Sequence, residues 1–169
     1  MEFYDVIKKR RSIRKYKNTP IPEESLRKIM EAVDMAPTAC NRQPFKFFLI
    51  TNAELKARIG KSYYKPYLAE APMVVVVAGD ENAAWHRPDG ESIASVDCAI
   101  ALEHFILAAT AEDLATCWIC AFDRAIVDKV LDLPEKGLRP IAMTPLGYAD
   151  GEPVPFQRKG VDHIMEVIS

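Results

Sequence analysis

Residues 72–78 read Pro-Met-Val-Val-Val-Val-Ala, an apolar run in which neither set of alternate positions is polar. Such a run predicts a β-strand that is buried on both faces. The next long apolar segment, residues 92–110, is interrupted by Asp97, Glu103 and His104 and predicts a helix that is buried nearly all round. In a chain of 169 residues, a helix of this kind suggests that a partner subunit covers part of it.

The rest of the chain alternates between helical and strand-like patterns. Helices are predicted over 2–11, 22–37, 54–62 and 124–131, and strands over 45–51, 114–122 and 141–148. Residues 12–16 form a basic extended segment, and a Pro-rich tail over 150–159 precedes a last amphipathic stretch that runs to Ile168. Strands that alternate with helices predict an α/β or α+β sheet covered by helices.

Composition is that of an ordinary globular chain, with 49% hydrophobic and 27% charged residues, and predicts one domain over residues 1–169. Lys and Arg number 22 against 24 Asp and Glu, a net charge of -2, which argues against nucleic acid as a partner because duplex binding needs a basic footprint. The start lacks the pattern of a signal peptide, and no run of about 18 uncharged apolar residues follows. We therefore expect a cytoplasmic protein with no membrane segment, whose four cysteines are thiols.

Two basic clusters are candidates for binding an anion. Residues 10–14, Arg-Arg-Ser-Ile-Arg, bring three guanidinium groups and a hydroxyl into five residues, a set that can surround a phosphate by bidentate hydrogen bonds. The simpler interpretation is a solvated basic face. Residues 156–159, Phe-Gln-Arg-Lys, are a second cluster, which could close on the same phosphate if the tail folds back.

Residues 37–45, Pro-Thr-Ala-Cys-Asn-Arg-Gln-Pro-Phe, form a loop between a predicted helix and a predicted strand. Such a loop can present N–H groups and side-chain amides to a flat polar heterocycle, or it can be an ordinary connection.

Cys117 and Cys120 could be a dithiol or half of a zinc site. Zinc is disfavoured because there is no second pair and the histidines are scattered. A redox dithiol is disfavoured because the pair falls inside a predicted strand, with its thiols on opposite faces.

Glycine-based nucleotide motifs are absent from the sequence. It contains no G-x-G-x-x-G after a strand and no G-x-x-x-x-G-K-[ST], and it has only 7 Gly. If a nucleotide binds, side chains must therefore hold its phosphate.

Taken in order, these segments resemble the nitroreductase-like family of FMN-dependent oxidoreductases over nearly the whole chain. The resemblance rests on an ordered set of motifs: R-R-S-x-R, A-P-T-A-x-N-x-Q-P-F, A-P-x-V-V-V-V, the long helix, T-C-W-I-x-A-F, P-L-G-Y and R-K. Each motif is weak alone, and their order is specific. The resemblance implies an α+β fold with a central, mostly antiparallel sheet flanked by helices, and a long buried helix at an intertwined homodimer interface.

The resemblance also implies two FMN sites at the subunit interface. The residues implied in FMN binding, by position in the motifs, are Arg10, Arg11, Ser12, Arg14, Pro37, Thr38, Ala39, Asn41, Gln43, Cys120, Ala121, Arg158 and Lys159. By this resemblance the first three and the last two meet the phosphate and ribityl chain, and Arg14 lies near N1 and O2 of the flavin. The loop residues contact the isoalloxazine from the other subunit or from nearby, and the N–H groups at Cys120 and Ala121 lie near N5 and O4.

The activity implied is hydride transfer from NADH or NADPH to the flavin N5 and on to a nitroaromatic, quinone or similar small acceptor, by a ping-pong mechanism. No catalytic side chain and no metal is expected, since a flavin supplies the redox chemistry itself. A cation near N1 favours hydride uptake by stabilising the negative charge that develops on the ring. The alternatives are another flavin reaction, such as reductive dehalogenation or enone reduction, and an FMN-binding protein without turnover.

Three features depart from the family pattern. Cys120 stands where short members usually have glycine. Residues 64–67, Tyr-Lys-Pro-Tyr, replace a stretch in which larger members carry Asn and Lys, and the segment between strand and long helix, 79–91, is short. Because these positions border the space for substrate, the acceptor is the property that the resemblance transfers least.

Overall fold

The computed structural model describes residues 2–168. Its helices and strands are α1 (Phe3–Lys9), α2 (Glu23–Asp34), β1 (Phe45–Ile50), α3 (Ala53–Gly60), α4 (Tyr67–Glu70), β2 (Met73–Gly79), α5 (Ala94–Ala111), β3 (Ala115–Thr116), α6 (Arg124–Leu131), β4 (Arg139–Gly147) and α7 (Val161–Ile164). Short 3₁₀ turns occupy Ala39–Asn41 and Pro134–Lys136. Most elements lie within two or three residues of their predicted bounds.

The four strands form one antiparallel sheet in the order β1-β2-β4-β3. The register pairs Phe45 with Gly79 and Met73 with Leu146, and a bulge follows Val77 in the β2–β4 ladder. The expected α+β architecture with a mostly antiparallel sheet is thereby confirmed.

Strand β2 is buried on both faces because a helical layer covers each side of the sheet. Its odd-numbered side chains pack with α2 and α5, where Phe105 and Leu102 are completely buried. Its even-numbered side chains pack with α3, α4 and α6, where Leu68 and Val127 are completely buried. The unbroken valine run is therefore the signature of a central strand between two cores.

Helix α5 is the core helix that the sequence predicts, with half of its 18 residues buried. By length and composition it is also the one helix among the described residues that could cross a membrane. Its buried side chains, which include Phe105 and Ile106, are packed against the sheet and α2. Val96 is half-exposed on its outer side.

The prediction of a long third strand is wrong in extent. Only Ala115 and Thr116 form a ladder with β4, and a single bridge at Ile119 follows. The ladder lapses because the Cys117 amide donates to the Thr144 hydroxyl, 3.1 Å away, rather than to a strand carbonyl. The two thiols nonetheless face opposite ways, with Cys117 buried and Cys120 exposed, as expected.

Candidate functional site

The two basic segments meet because the chain's early and late parts are joined by backbone hydrogen bonds. The Ile13 amide donates to the Thr116 carbonyl of the edge strand β3 at 2.9 Å, which fixes the start of the segment 12–16 beside this edge of the sheet. Further on, the Asp150 amide donates to the Lys15 carbonyl at 3.0 Å, and the two side chains form an ion pair at 2.8 Å. The tail therefore leaves the body of the protein beside the arginine-rich segment.

A cavity of about 310 Å³ lies between this segment and the tail, and is called the basic cavity below. Its wall consists of Arg10, Arg11, Ser12, Arg14, Val154, Pro155, Phe156, Gln157 and Arg158. Four of the nine side chains are guanidinium groups and none is acidic. A phosphate monoester fits this donor set, since arginine forks match its oxygens and no carboxylate opposes its charge.

Phe156 organises the cations of the basic cavity. The Arg11 guanidinium carbon lies 4.2 Å from the centre of its ring, and that of Arg158 lies 5.0 Å from the same point. Arg11 also donates to the Arg10 carbonyl at 2.7 Å. Aromatic contact and hydrogen bonding thus hold guanidinium groups from both ends of the chain over one ring.

Arg10 and Arg11 also border a second cavity of about 340 Å³. Its wall is more apolar and contains the acidic side chains of Asp113 and Glu152. Since carboxylates repel a phosphate, the basic cavity is the better anion site of the two.

The loop from Pro37 to Gln43 does not line the basic cavity. The Gln43 amide donates to the Thr38 hydroxyl at 3.0 Å, and the Gln43 side chain donates from Nε2 to Asn41 Oδ1 at 2.9 Å. That bond leaves Asn41 Nδ2 as a donor and Gln43 Oε1 as an acceptor on an exposed surface. The Ala39 amide donates to Asp97 Oδ1 of α5 at 3.1 Å.

Cys120 and Ala121 are exposed after the sheet's short edge strand and also lie outside the basic cavity. The Trp118 indole N–H donates to the Cys120 sulfur at 2.9 Å. Lys159 is exposed and does not line the cavity either. The structure thus brings together Arg10, Arg11, Ser12, Arg14 and Arg158, whereas the other implied residues do not line that cavity within one chain.

The sequence alone assigns no role to two residues that shape the site. Phe156 is an aromatic ring two positions before Arg158, a spacing that could have suggested a cation–π partner. Asp97 is the single acid in the first turn of a mainly apolar helix, which is a sign of a buried polar contact. In residues 2–168, no group of three His, Cys, Asp or Glu side chains could hold a metal ion.

The nitroreductase family model matches residues 7–67 and 61–148 of the chain. The solved structure of a nitroreductase family protein from Clostridium difficile 630 is 31% identical, with a TM-score of 0.92 over 100% of this chain and 99% of that one. A curated relative named NADH dehydrogenase, from Thermus thermophilus, is 29% identical over 93% of this chain and 91% of its own. An iodotyrosine deiodinase from Thermotoga neapolitana is 26% identical over 94% of both chains.

The chain belongs to the nitroreductase family. Both the family and the fold predicted from the ordered motifs are confirmed, and the protein is an oxidoreductase of that family.

Proposed function

We propose that the protein is an FMN-dependent oxidoreductase that takes hydride from NADH or NADPH and passes it to a nitroaromatic, a quinone or a similar small acceptor by a ping-pong mechanism. The observation that carries this proposal is the basic cavity, in which arginines from both ends of the chain face one space with no acid in its wall. Relatives named NADH dehydrogenase and NADPH-dependent oxidoreductase support the choice of electron donor.

We assign the phosphate of FMN to Arg10, Arg11, Ser12 and Arg158 in the basic cavity, with Lys159 beside them. Arginine forks bind a dianion by charge-assisted hydrogen bonds, and the Ser12 hydroxyl adds a neutral donor. FMN, when bound, supplies a ring that accepts hydride at N5 and releases it again. Arg14 is exposed and carries a permanent charge, and its assigned role is to stabilise negative charge that develops on the ring.

We assign the flavin ring to the loop of Pro37, Thr38, Ala39, Asn41 and Gln43, together with the backbone at Cys120 and Ala121. The paired amides of Asn41 and Gln43 offer one donor and one acceptor side by side. That pattern complements an imide edge, in which an N–H lies between carbonyl oxygens. Because this loop and the basic cavity do not share a wall within one chain, we propose that each site is completed by a second copy.

Exposed apolar side chains support the homodimer. In the tail they include Phe156, which is 50% exposed, and Ile164, which is 80% exposed; Val96 on α5 is 47% exposed. Apolar side chains exposed to this extent are typical of surfaces that a partner covers. We propose that the dimer acts in the cytoplasm, where NADH and NADPH are available.

The proposal is tested by the absorption spectrum of the purified protein, followed by anaerobic addition of NADH and of NADPH. We expect flavin absorbance that bleaches with at least one nicotinamide and returns when a nitroaromatic or quinone is added. A protein that binds no FMN under these conditions contradicts the proposal. FMN that binds but is not reduced by either nicotinamide would instead identify an FMN-binding protein without turnover.

Arg158→Ala tests the basic cavity itself. Since a hydrogen bond to a charged group contributes roughly 1.5–3 kcal/mol, we expect FMN affinity to fall by about tenfold or more. The matched control is Arg58→Ala, which removes an exposed arginine from α3, outside that cavity. Equal FMN affinity in the Arg158 variant and the control would remove this residue from the phosphate site.

Reductive dehalogenation is the second candidate, favoured by the similarity to an iodotyrosine deiodinase over 94% of both chains. It uses the same cavity and differs in the acceptor. Release of iodide from iodotyrosine by the reduced protein, at a rate above that of nitroaromatic reduction, would favour this candidate over the first.

A further inference from the structure

Asp97 is a buried acid that the reaction proposed above does not use. It lies in the first turn of α5 and is 1% exposed. Its Oδ1 atom accepts the Ala39 N–H at 3.1 Å, and its Oδ2 atom is buried with no hydrogen-bond partner in the described part of the chain. A buried carboxylate with only one of its two oxygens hydrogen-bonded is costly, so Asp97 needs a role beyond packing.

The loop that Asp97 holds has an unfavourable backbone conformation. Cys40, Asn41 and Gln43 have φ values of 52°, 52° and 50°, in the left-handed region that non-glycine residues rarely adopt. Three such residues within four positions persist only where surrounding contacts impose the conformation. Within the loop, the Gln43 amide is held by the Thr38 hydroxyl. From outside it, Asp97 of α5 holds the Ala39 amide, and the Arg42 guanidinium donates to the Ala84 carbonyl at 2.8 Å.

Two of these three strained residues, Asn41 and Gln43, are also assigned to the flavin ring. Asn41 and Gln43 present their amides only while the loop keeps this geometry. Anchoring Ala39 to a core helix fixes the start of the 3₁₀ turn from Ala39 to Asn41. The Asp97–Ala39 bond therefore links the rigid core to the surface that meets the ring.

We propose that Asp97 is a positioning residue, which preorganises the loop of residues 37–43 for the flavin ring by accepting the Ala39 N–H. This inference rests on the proposed function, because it concerns the same FMN site. Preorganisation raises affinity by lowering the entropy lost when a ligand orders a loop. We therefore expect its removal to weaken FMN binding rather than to alter the basic cavity.

The first test compares Asp97→Ala with Asp97→Asn. Alanine removes the acceptor, whereas asparagine keeps an oxygen that can accept the Ala39 N–H and removes the charge. We expect FMN affinity to fall about tenfold or more in the alanine variant and to be restored to within about threefold by asparagine. In flavin-free protein, we expect the Ala39 amide to exchange faster with solvent in the alanine variant than in the wild type.

The matched control is Asp128→Ala on α6. Asp128 also has a buried side-chain oxygen with no partner among the described residues, and it has no hydrogen bond to the loop. We expect Asp128→Ala to lower the melting temperature without changing the affinity for FMN. If Asp97→Ala lowers the melting temperature to the same extent and leaves FMN affinity and Ala39 exchange unchanged, Asp97 is only structural and the proposal is wrong.

A second variant approaches the same bond from the donor. Ala39→Pro deletes the N–H, and Thr38, with φ −134° and ψ 157°, already has the extended backbone that precedes proline. We expect Ala39→Pro and Asp97→Ala to weaken FMN binding to a similar extent and the double variant to lose little more, since both remove one bond. Additive losses would contradict the proposal, whereas a wild type that binds no FMN would overturn the proposed function instead.

Discussion

Among single side chains, Cys120 shows how one departure from the family pattern acquires a structural role. The family resemblance leads us to expect glycine there, and a glycine has no side-chain atom to accept a hydrogen bond from Trp118. In this chain the thiol lies 2.9 Å from the indole nitrogen and holds the ring at an exposed position. The pair therefore fixes an aromatic surface beside the backbone assigned to the flavin.

We expect Cys120→Ala to release the Trp118 ring and Cys120→Ser to retain it, because serine keeps an acceptor. The sequence has only Trp85 and Trp118, so tryptophan emission reports the change: the alanine variant should shift to longer wavelength. Cys40→Ala, which removes another exposed thiol, is the control. Identical emission spectra for all the variants would show that the sulfur does not hold the ring.

Ionisation of Cys98 makes the free energy of unfolding fall as the pH rises into the alkaline range. Burial, followed by the charges of Asp97 and Glu81, raises the pKa of its thiol from 9.0 to about 12. The folded state therefore holds the proton more tightly than the unfolded state, and this contribution to stability is complete below pH 9 and lost between pH 9 and 12. The loss is about 1.4 kcal/mol per pH unit within that window.

Urea unfolding at several values between pH 8 and pH 11 measures this effect. We expect the free energy of unfolding of the wild type to fall more steeply with pH than that of Cys98→Ala, which cannot ionise at this position. Cys40→Ala, the exposed-thiol control, should follow the wild type. Parallel curves for the wild type and Cys98→Ala would contradict the assignment.

The candidate side chains are only partly predictable from sequence. The basic run at residues 10–14 alone favours a solvated face, and the family resemblance is what links it to Arg158 and a phosphate. The stack on Phe156 and the bond from Ala39 to Asp97 depend on contacts between distant parts of the chain. The local pattern around Phe156 or Asp97 can suggest that each has a polar or cationic partner, but it does not identify a partner from a distant part of the chain.

Among the helices and strands, the end of β4 shows how closely the elements approach each other. A Cβ added to Gly147 would lie 2.7 Å from Pro72 Cδ and 3.3 Å from Tyr16 Cδ1. The glycine of the P-L-G-Y motif is therefore needed where the start of β2, the end of β4 and the basic extended segment meet. Its role is to leave space for neighbouring elements.

We expect Gly147→Ala to destabilise the protein by roughly 1–3 kcal/mol through overpacking. Urea unfolding measures the loss. Pro72→Ala removes the ring carbons nearest to the added methyl group, so the double variant should lose less than the sum of the two single losses. Strict additivity of the two changes would show that the methyl group is accommodated elsewhere.

The bounds of a helix with a clear hydrophobic period of about 3.6 residues are predictable from the sequence. The bounds of a strand are less so, because they depend on its pairing with another strand. The predicted bounds of α6, residues 124–131, are those observed, because capping, periodicity and a following proline all agree. The third strand is predicted over 114–122 and covers only Ala115–Thr116 in the sheet. Its apolar residues indicate burial, but the Thr144 hydroxyl that takes the Cys117 amide out of the ladder lies in another strand.

For the molecule as a whole, the separation of the loop of residues 37–43 from the basic cavity makes FMN binding depend on protein concentration. If two copies complete each site, dilution should release FMN only as the dimer dissociates. Sedimentation velocity recorded at the flavin absorbance, over a series of protein concentrations, measures both together. A flavin-loaded monomer would contradict the shared site.

The control for dilution is a concentration series with excess FMN. Ligand that binds only the dimer should shift dissociation to lower protein concentration by mass action.

The fold itself follows from the alternation of elements and the family motifs, whereas the dimer is predicted from resemblance and from exposed apolar side chains such as Val96 and Ile164. The apolar pattern of residues 92–110 suggests that a partner covers this helix, but the periodicity of one chain does not identify the surface that the partner contributes.

The grouping of Arg11 and Arg158 around one ring has a consequence for the tail that carries Phe156. Guanidinium groups repel one another, so the contact of the tail with residues 10–14 brings like charges together. A doubly negative guest would turn that repulsion into attraction on both sides. Binding of FMN would then also hold the C-terminal tail in place. The order of the tail would report the fraction of the protein that has FMN bound.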